Sequence, residues 1–134
     1  MVVVPPAARG MAAVANANEG CPVSTRARGN RAPAWVAAYL SRWWPGAEKT
    51  PNSRPGADIL GTPGVKFEIK TGVEWRTAWV RQAAGYAVGD EVAIIVYLPP
   101  GCGELSVGDA LAVLPLREIM PLLVAAGYAP APST

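Results

Sequence analysis

The run EVAIIVYL at residues 91–98 constrains this chain more than any other segment. After its first residue it carries no charge, and Val92, Ile94, Ile95 and Val96 are β-branched. A run of this length and kind reads as a strand buried on both faces, which needs cover from two sides. Helical spacing elsewhere supplies that cover. Residues 33–44 place Val36, Tyr39, Leu40 and Trp43 at intervals of three and four, with Pro33 in the first turn and Pro45-Gly46 at the end. Residues 75–88 place Trp75, Trp79, Gln82 and Tyr86 on one stripe, so Gln82 is expected as a buried amide in an aromatic seam. A third helix is expected over residues 115–126. With short strands at residues 47–50, 57–60, 65–70 and 110–114, the pattern predicts a mixed α/β layer fold.

The segment GADILGTPGVKFEIKTG reads as a hairpin. Pro63-Gly64 suits the centre of a type II turn. Strand alternation places Glu68 and Lys70 on one face, with Val65, Phe67 and Ile69 on the other. If the loop spans residues 61–65, Leu60 faces Lys66 and Asp58 falls opposite Glu68. A slip of one residue would send the two carboxylates to opposite faces, so the chemistry depends on this register.

Composition removes many alternatives. The chain of 134 residues is 51% apolar and 16% charged, a globular composition for one domain. It contains no histidine, which excludes Ser-His-Asp and Cys-His catalysis and histidine-ligated zinc. Cys21 and Cys102 match no metal-ligand spacing and are expected as free thiols in a reducing cytoplasm. No apolar run approaches the ~20 residues of a membrane span. Residues 1–25 and 130–134 read as tails around an ordered domain at residues 26–129.

Charge is unevenly distributed. Residues 26–81 hold ten basic side chains against four acidic ones, and the remainder holds two against six. That asymmetry suits a basic region facing a polyanion. Arg28, Arg31, Arg54 and Lys66 are the candidate phosphate contacts, of a kind that is sequence-independent and salt-sensitive.

Two carboxylates and an ammonium at the edge of an apolar sheet need partners. Phosphodiester hydrolysis assisted by a divalent cation requires that set. Mg²⁺ (or Mn²⁺) takes hard oxygen ligands and retains several waters, so Asp58, Glu68 and the carbonyl of Ile69 suffice to hold it. Lys70 is placed to orient a water or stabilise developing charge, and Gln82 to support the lysine or a phosphate. The plainer reading is a structural ion pair on a solvated face, with the aromatic stripe as core.

Asp58, Glu68 and Lys70 in a D-x9-E-x-K arrangement, set between helices, resemble the PD-(D/E)XK nuclease superfamily. Within it the chain is similar to Holliday junction resolvases of the archaeal type and their actinobacterial and phage relatives. The similarity extends to Trp79-Val80-Arg81-Gln82-Ala83, which resembles a W-x-x-QA element, and to Gln82-x-x-x-Tyr86, which resembles a QxxxY motif of exonuclease-type members. The stretches VGDALAVLPLREIMPLL and AAGYA are similar to the family's last strand and helix. The resemblance covers about residues 26–129. It implies a restriction-endonuclease-like core and a Mg²⁺-dependent endonuclease acting on branched double-stranded DNA, with Asp58, Glu68, Lys70 and Gln82 as site residues. Adjacent bulky residues on a helix diverge by about 100°, so one of Trp43 and Trp44 is expected at a homodimer interface. The family places a glutamate in its first helix where this chain has Pro33. An exonuclease of the same fold and a DNA-binding protein that has lost catalysis are the alternative readings.

Overall fold

A computed structural model describes residues 25–51 and 54–133, with side chains of the first helix described from Gly29 onward. The elements run α1 (Thr25–Leu40), β1 (Glu48–Lys49), β2 (Ile59–Leu60), β3 (Val65–Thr71), α2 (Ala78–Ala84), β4 (Val92–Leu98), a 3-10 turn (Glu104–Asp109), β5 (Leu111–Val113) and α3 (Leu116–Ala125). β4 is the middle strand of the larger sheet. It pairs in parallel with β3, from Val65↔Val92 to Thr71↔Leu98, and antiparallel with β5. The result is a mixed α/β fold, and EVAIIVYL is covered on both faces as its composition requires.

The two faces differ in kind. Phe67 and Ile69 of β3 join Leu98 of β4 in a core with Ala32, Val36 and Ala37 of α1; Ile94 and Val96 pack against it. Trp44 adds an edge-on contact to Phe67, with ring centroids 5.8 Å apart. Its neighbour Trp43 is 60% exposed and lies against Tyr39, so the divergence expected of two adjacent tryptophans is observed. On the opposite face, strand alternation presents Glu68, Lys70, Ile95 and Tyr97 to α2.

Helix boundaries differ from the sequence reading, and α1 ends at Leu40 instead of Trp44. α1 begins at Thr25, eight residues before the proline that was expected to open it. Pro33 lies inside the helix, where it removes one backbone hydrogen bond but leaves both flanks helical. α2 is shorter than residues 75–88: it ends at Ala84, and tight turns at both ends carry the chain from Arg76 to Ala87. Trp75 and Tyr86 therefore lie outside the helix.

The hairpin differs most. Its turn forms as expected, with Val65 N–H donating to Thr62 C=O (3.1 Å) and Gly64 at φ +90°. β2, however, does not pair with β3 as a ladder. It pairs with β1, Glu48 opposite Leu60 and Lys49 opposite Ile59. The turn leaving β2 is held tightly: Gly61 has φ +80°, and a Cβ there would collide with the carbonyl of Gly46.

Leu98 is fully buried, whereas Leu105 is 97% exposed. Leu98→Ala is expected to cost about 2–5 kcal/mol, read as a lower urea midpoint at unchanged slope. Leu105→Ala is expected to stay within about 0.5 kcal/mol of the parent.

Candidate functional site

Asp58 immediately precedes β2 and reaches β3 by two hydrogen bonds. Its N–H donates to the Phe67 carbonyl (3.1 Å), and its carboxylate Oδ2 accepts from the Ile69 N–H (2.8 Å). A side-chain oxygen thus takes the place that a backbone carbonyl would fill in a ladder. The expected neighbourhood of Asp58 and Glu68 survives, although the cross-strand register proposed for it does not form. In a strand, a residue's N–H and C=O point to the same side. The Ile69 carbonyl therefore faces away from β4, toward Asp58.

Glu68 is 6% exposed on the face toward α2. Its Oε1 lies 3.3 Å from Lys70 Nζ, while Oε2 is buried with no hydrogen-bond partner. Lys70 Nζ also donates to Gln82 Oε1 at 3.2 Å and sits 5.6 Å from the centre of the Trp79 ring. Glu68, Lys70 and Gln82 are thus brought together, with Asp58 at the strand edge beside them. Gln82 is exposed, which corrects the expectation of a buried amide: it faces the lysine, not the aromatic seam. The seam itself is Trp75, Trp79 and Tyr97, with centroids 5.2–6.0 Å apart. Tyr97 fixes the end of β3 by donating to the Gly72 carbonyl (2.6 Å).

Burial raises both carboxyl pKa values. For Asp58, desolvation outweighs the Ile69 hydrogen bond and the charge of Lys70. For Glu68, desolvation and the charge of Asp58 together outweigh Lys70. An unpartnered buried oxygen, a second carboxylate within electrostatic reach and a backbone carbonyl on the same strand edge form an all-oxygen set suited to a hard divalent cation. Among the described residues no third acidic side chain joins this pair.

The candidate phosphate contacts are dispersed. Arg31 is exposed on α1, and Arg54 is exposed on the loop before Asp58. Lys66 lies 3.5 Å from Glu91 and lines a hollow with Ile59, Leu60 and Pro63, apart from Asp58. The side chain of Arg28 and all of Cys21 lie outside the described residues; Cys102 is fully buried, with its Sγ 3.3 Å from the Ser106 carbonyl. One neighbour, Lys49, escaped the sequence reading, whereas Pro33 stands beside Asp58 at the position where the resemblance expects a glutamate. Lys49 and Pro33 line a hollow of about 160 Å³ with Asp58. The signal for Lys49 was its alternation with Glu48 in an anticipated short strand, but the β1–β2 pairing that aims it was not anticipated.

No family model, no curated protein and no solved structure matches this chain.

The raised pKa values set a sign for stability. Each carboxyl holds its proton more tightly folded than unfolded, so without divalent cation its contribution is greatest below the ordinary values of 3.8 and 4.5 and is lost as pH rises through the folded pKa. Glu68→Gln is therefore expected to melt a few degrees higher than the parent at pH 7 in EDTA, with the gain vanishing below pH 4.5. Thermal melts across that range check it. Adding Mn²⁺ is expected to raise the melting temperature of the parent and not that of Glu68→Gln, since a ligand that binds only the folded state stabilises it.

Proposed function

We propose that this chain is a divalent-cation-dependent DNA endonuclease with a restriction-endonuclease-like core, acting on branched DNA in the manner of a Holliday junction resolvase. The observation that carries the reading is the buried, unpartnered Oε2 of Glu68 beside Asp58 and Lys70. Burying a carboxylate oxygen without a partner is costly, and a bound cation would repay that cost where the ion pair with Lys70 alone does not. The branched-DNA part rests on the sequence resemblance, as does the name of the core.

Asp58, Glu68 and the Ile69 carbonyl would hold Mg²⁺ or Mn²⁺. When bound, such an ion polarises a phosphoryl oxygen and makes water a better nucleophile at neutral pH. The chain's own groups do the rest. Lys70 is kept from swinging into solvent by Glu68 on one side and Gln82 on the other, so its ammonium stands ready where negative charge grows on the phosphate. Gln82, presented by α2, positions the lysine and does not react. Water adds to phosphorus and gives up a proton to solvent, the bond to the leaving oxygen breaks, and that oxygen takes up a proton from solvent.

One observation favours a second reading. α1 contributes Pro33 to the hollow beside Asp58, not a carboxylate. A DNA-binding protein that no longer cleaves would be consistent with that.

Labelled four-way, flapped and linear DNA incubated with Mg²⁺ or Mn²⁺ separates the readings. Paired symmetric cuts in the junction are expected, abolished by Glu68→Ala. Lys70→Ala is expected to lower the rate by about 10²–10³, and Gln82→Ala by about 10–100-fold. Degradation of linear DNA from its ends would point to an exonuclease instead. Binding without cleavage under either cation would overturn the enzyme reading.

A further inference from the structure

The hollow beside Asp58 holds two cations whose role the proposed chemistry does not use. Lys49 and Arg54 line it together with Pro33 and Thr50. Among the described residues neither cation forms an ion pair, although a carboxylate lines the same hollow. Asp58 is already engaged through Oδ2 by the Ile69 amide. One negative charge against two positive leaves this depression with a net positive charge, which favours an anion.

The placement is built, not incidental. Thr50 N–H donates to the Asp58 carbonyl (2.8 Å), and its Oγ1 donates to the Ala57 carbonyl (2.6 Å). These bonds lock the end of β1 to the residues around Asp58 and set Lys49, half-buried and next in sequence, against the hollow. The Arg54 N–H donates to the Pro51 carbonyl (2.9 Å). About 160 Å³ leaves room for several waters at about 30 Å³ each. A phosphodiester group with part of its hydration therefore fits.

We propose that Lys49 and Arg54 clamp a backbone phosphodiester of DNA in this hollow and so deliver the strand to Asp58. The proposal rests on the nuclease reading for the identity of the polymer. It also gives Pro33 a sense: the wall is apolar where an acid would repel the phosphate, and the two side-chain cations neutralise it.

The test measures DNA binding in EDTA, where cleavage plays no part. Fluorescence anisotropy with a labelled four-way junction gives the affinity at a series of NaCl concentrations. Lys49→Gln and Arg54→Gln are each expected to flatten the plot of log affinity against log salt by about 0.9 per lost phosphate contact, and the double variant by about twice that. Lys49→Arg is expected to keep the parental slope, as is Arg117→Gln on α3, which controls for loss of charge alone. Arg54 is exposed, so its variant tests the idea even if Lys49→Gln melts early. Parental slopes in both glutamine variants, or no binding by the parent, would overturn the proposal. Flattened slopes without cleavage under any cation would leave the clamp standing and remove the nuclease reading. Cleavage with unchanged slopes would do the reverse.

Discussion

The hydrogen bond from the Ile69 amide to the Asp58 carboxylate ties the small β1–β2 sheet to the edge of β3, above the core that Ile59 shares with Phe67 and Ile69. β3 lies at the edge of its sheet, so its outward N–H and C=O groups need partners. β2 does not supply them, being paired with β1. Asp58 does, once through its backbone and once through its side chain. The small β1–β2 sheet, the loop carrying Arg54 and the buried strand carrying Glu68 are thereby held in one arrangement. Whatever the site does, its geometry rests on this contact.

A cost is built into the same contact. It draws one carboxylate toward another that the sheet has already buried, and the charge of Lys70, which bears on both, does not outweigh that burial. Two like charges out of water raise each other's free energy, and the raised pKa values of both groups record it. Carboxylates that serve only stability are normally fully paired. Under the proposed function, a bound cation would relieve this imbalance.

Much of this could be read in the sequence, and the reasons differ by element. β4 announced itself through composition, since a β-branched run without polar residues has few other fates. The turn at Pro63-Gly64 followed from the conformations those two residues favour. The alternation of Glu68 and Lys70 against Phe67 and Ile69 followed from strand period alone. The register of Asp58 did not, because the hairpin ladder was inferred from backbone pairing and a side-chain oxygen took over part of it. α1 began early because a proline is tolerated inside the helix here, so the usual start signal misled. Lys49 was missed because its relation to Asp58 passes through a two-residue pairing too short to leave a pattern.

The parallel pairing of β3 with β4 has a further implication for how the protein is made. Parallel neighbours need a crossover, here the segment bearing α2, before either can bond to the other. During synthesis Asp58, Glu68 and Lys70 leave the ribosome together, yet Gln82 and the central strand follow only later. Until β4 docks, the charged edge and its apolar underside stand exposed in an incomplete sheet. β3 therefore waits for β4, and contacts so distant in sequence form slowly.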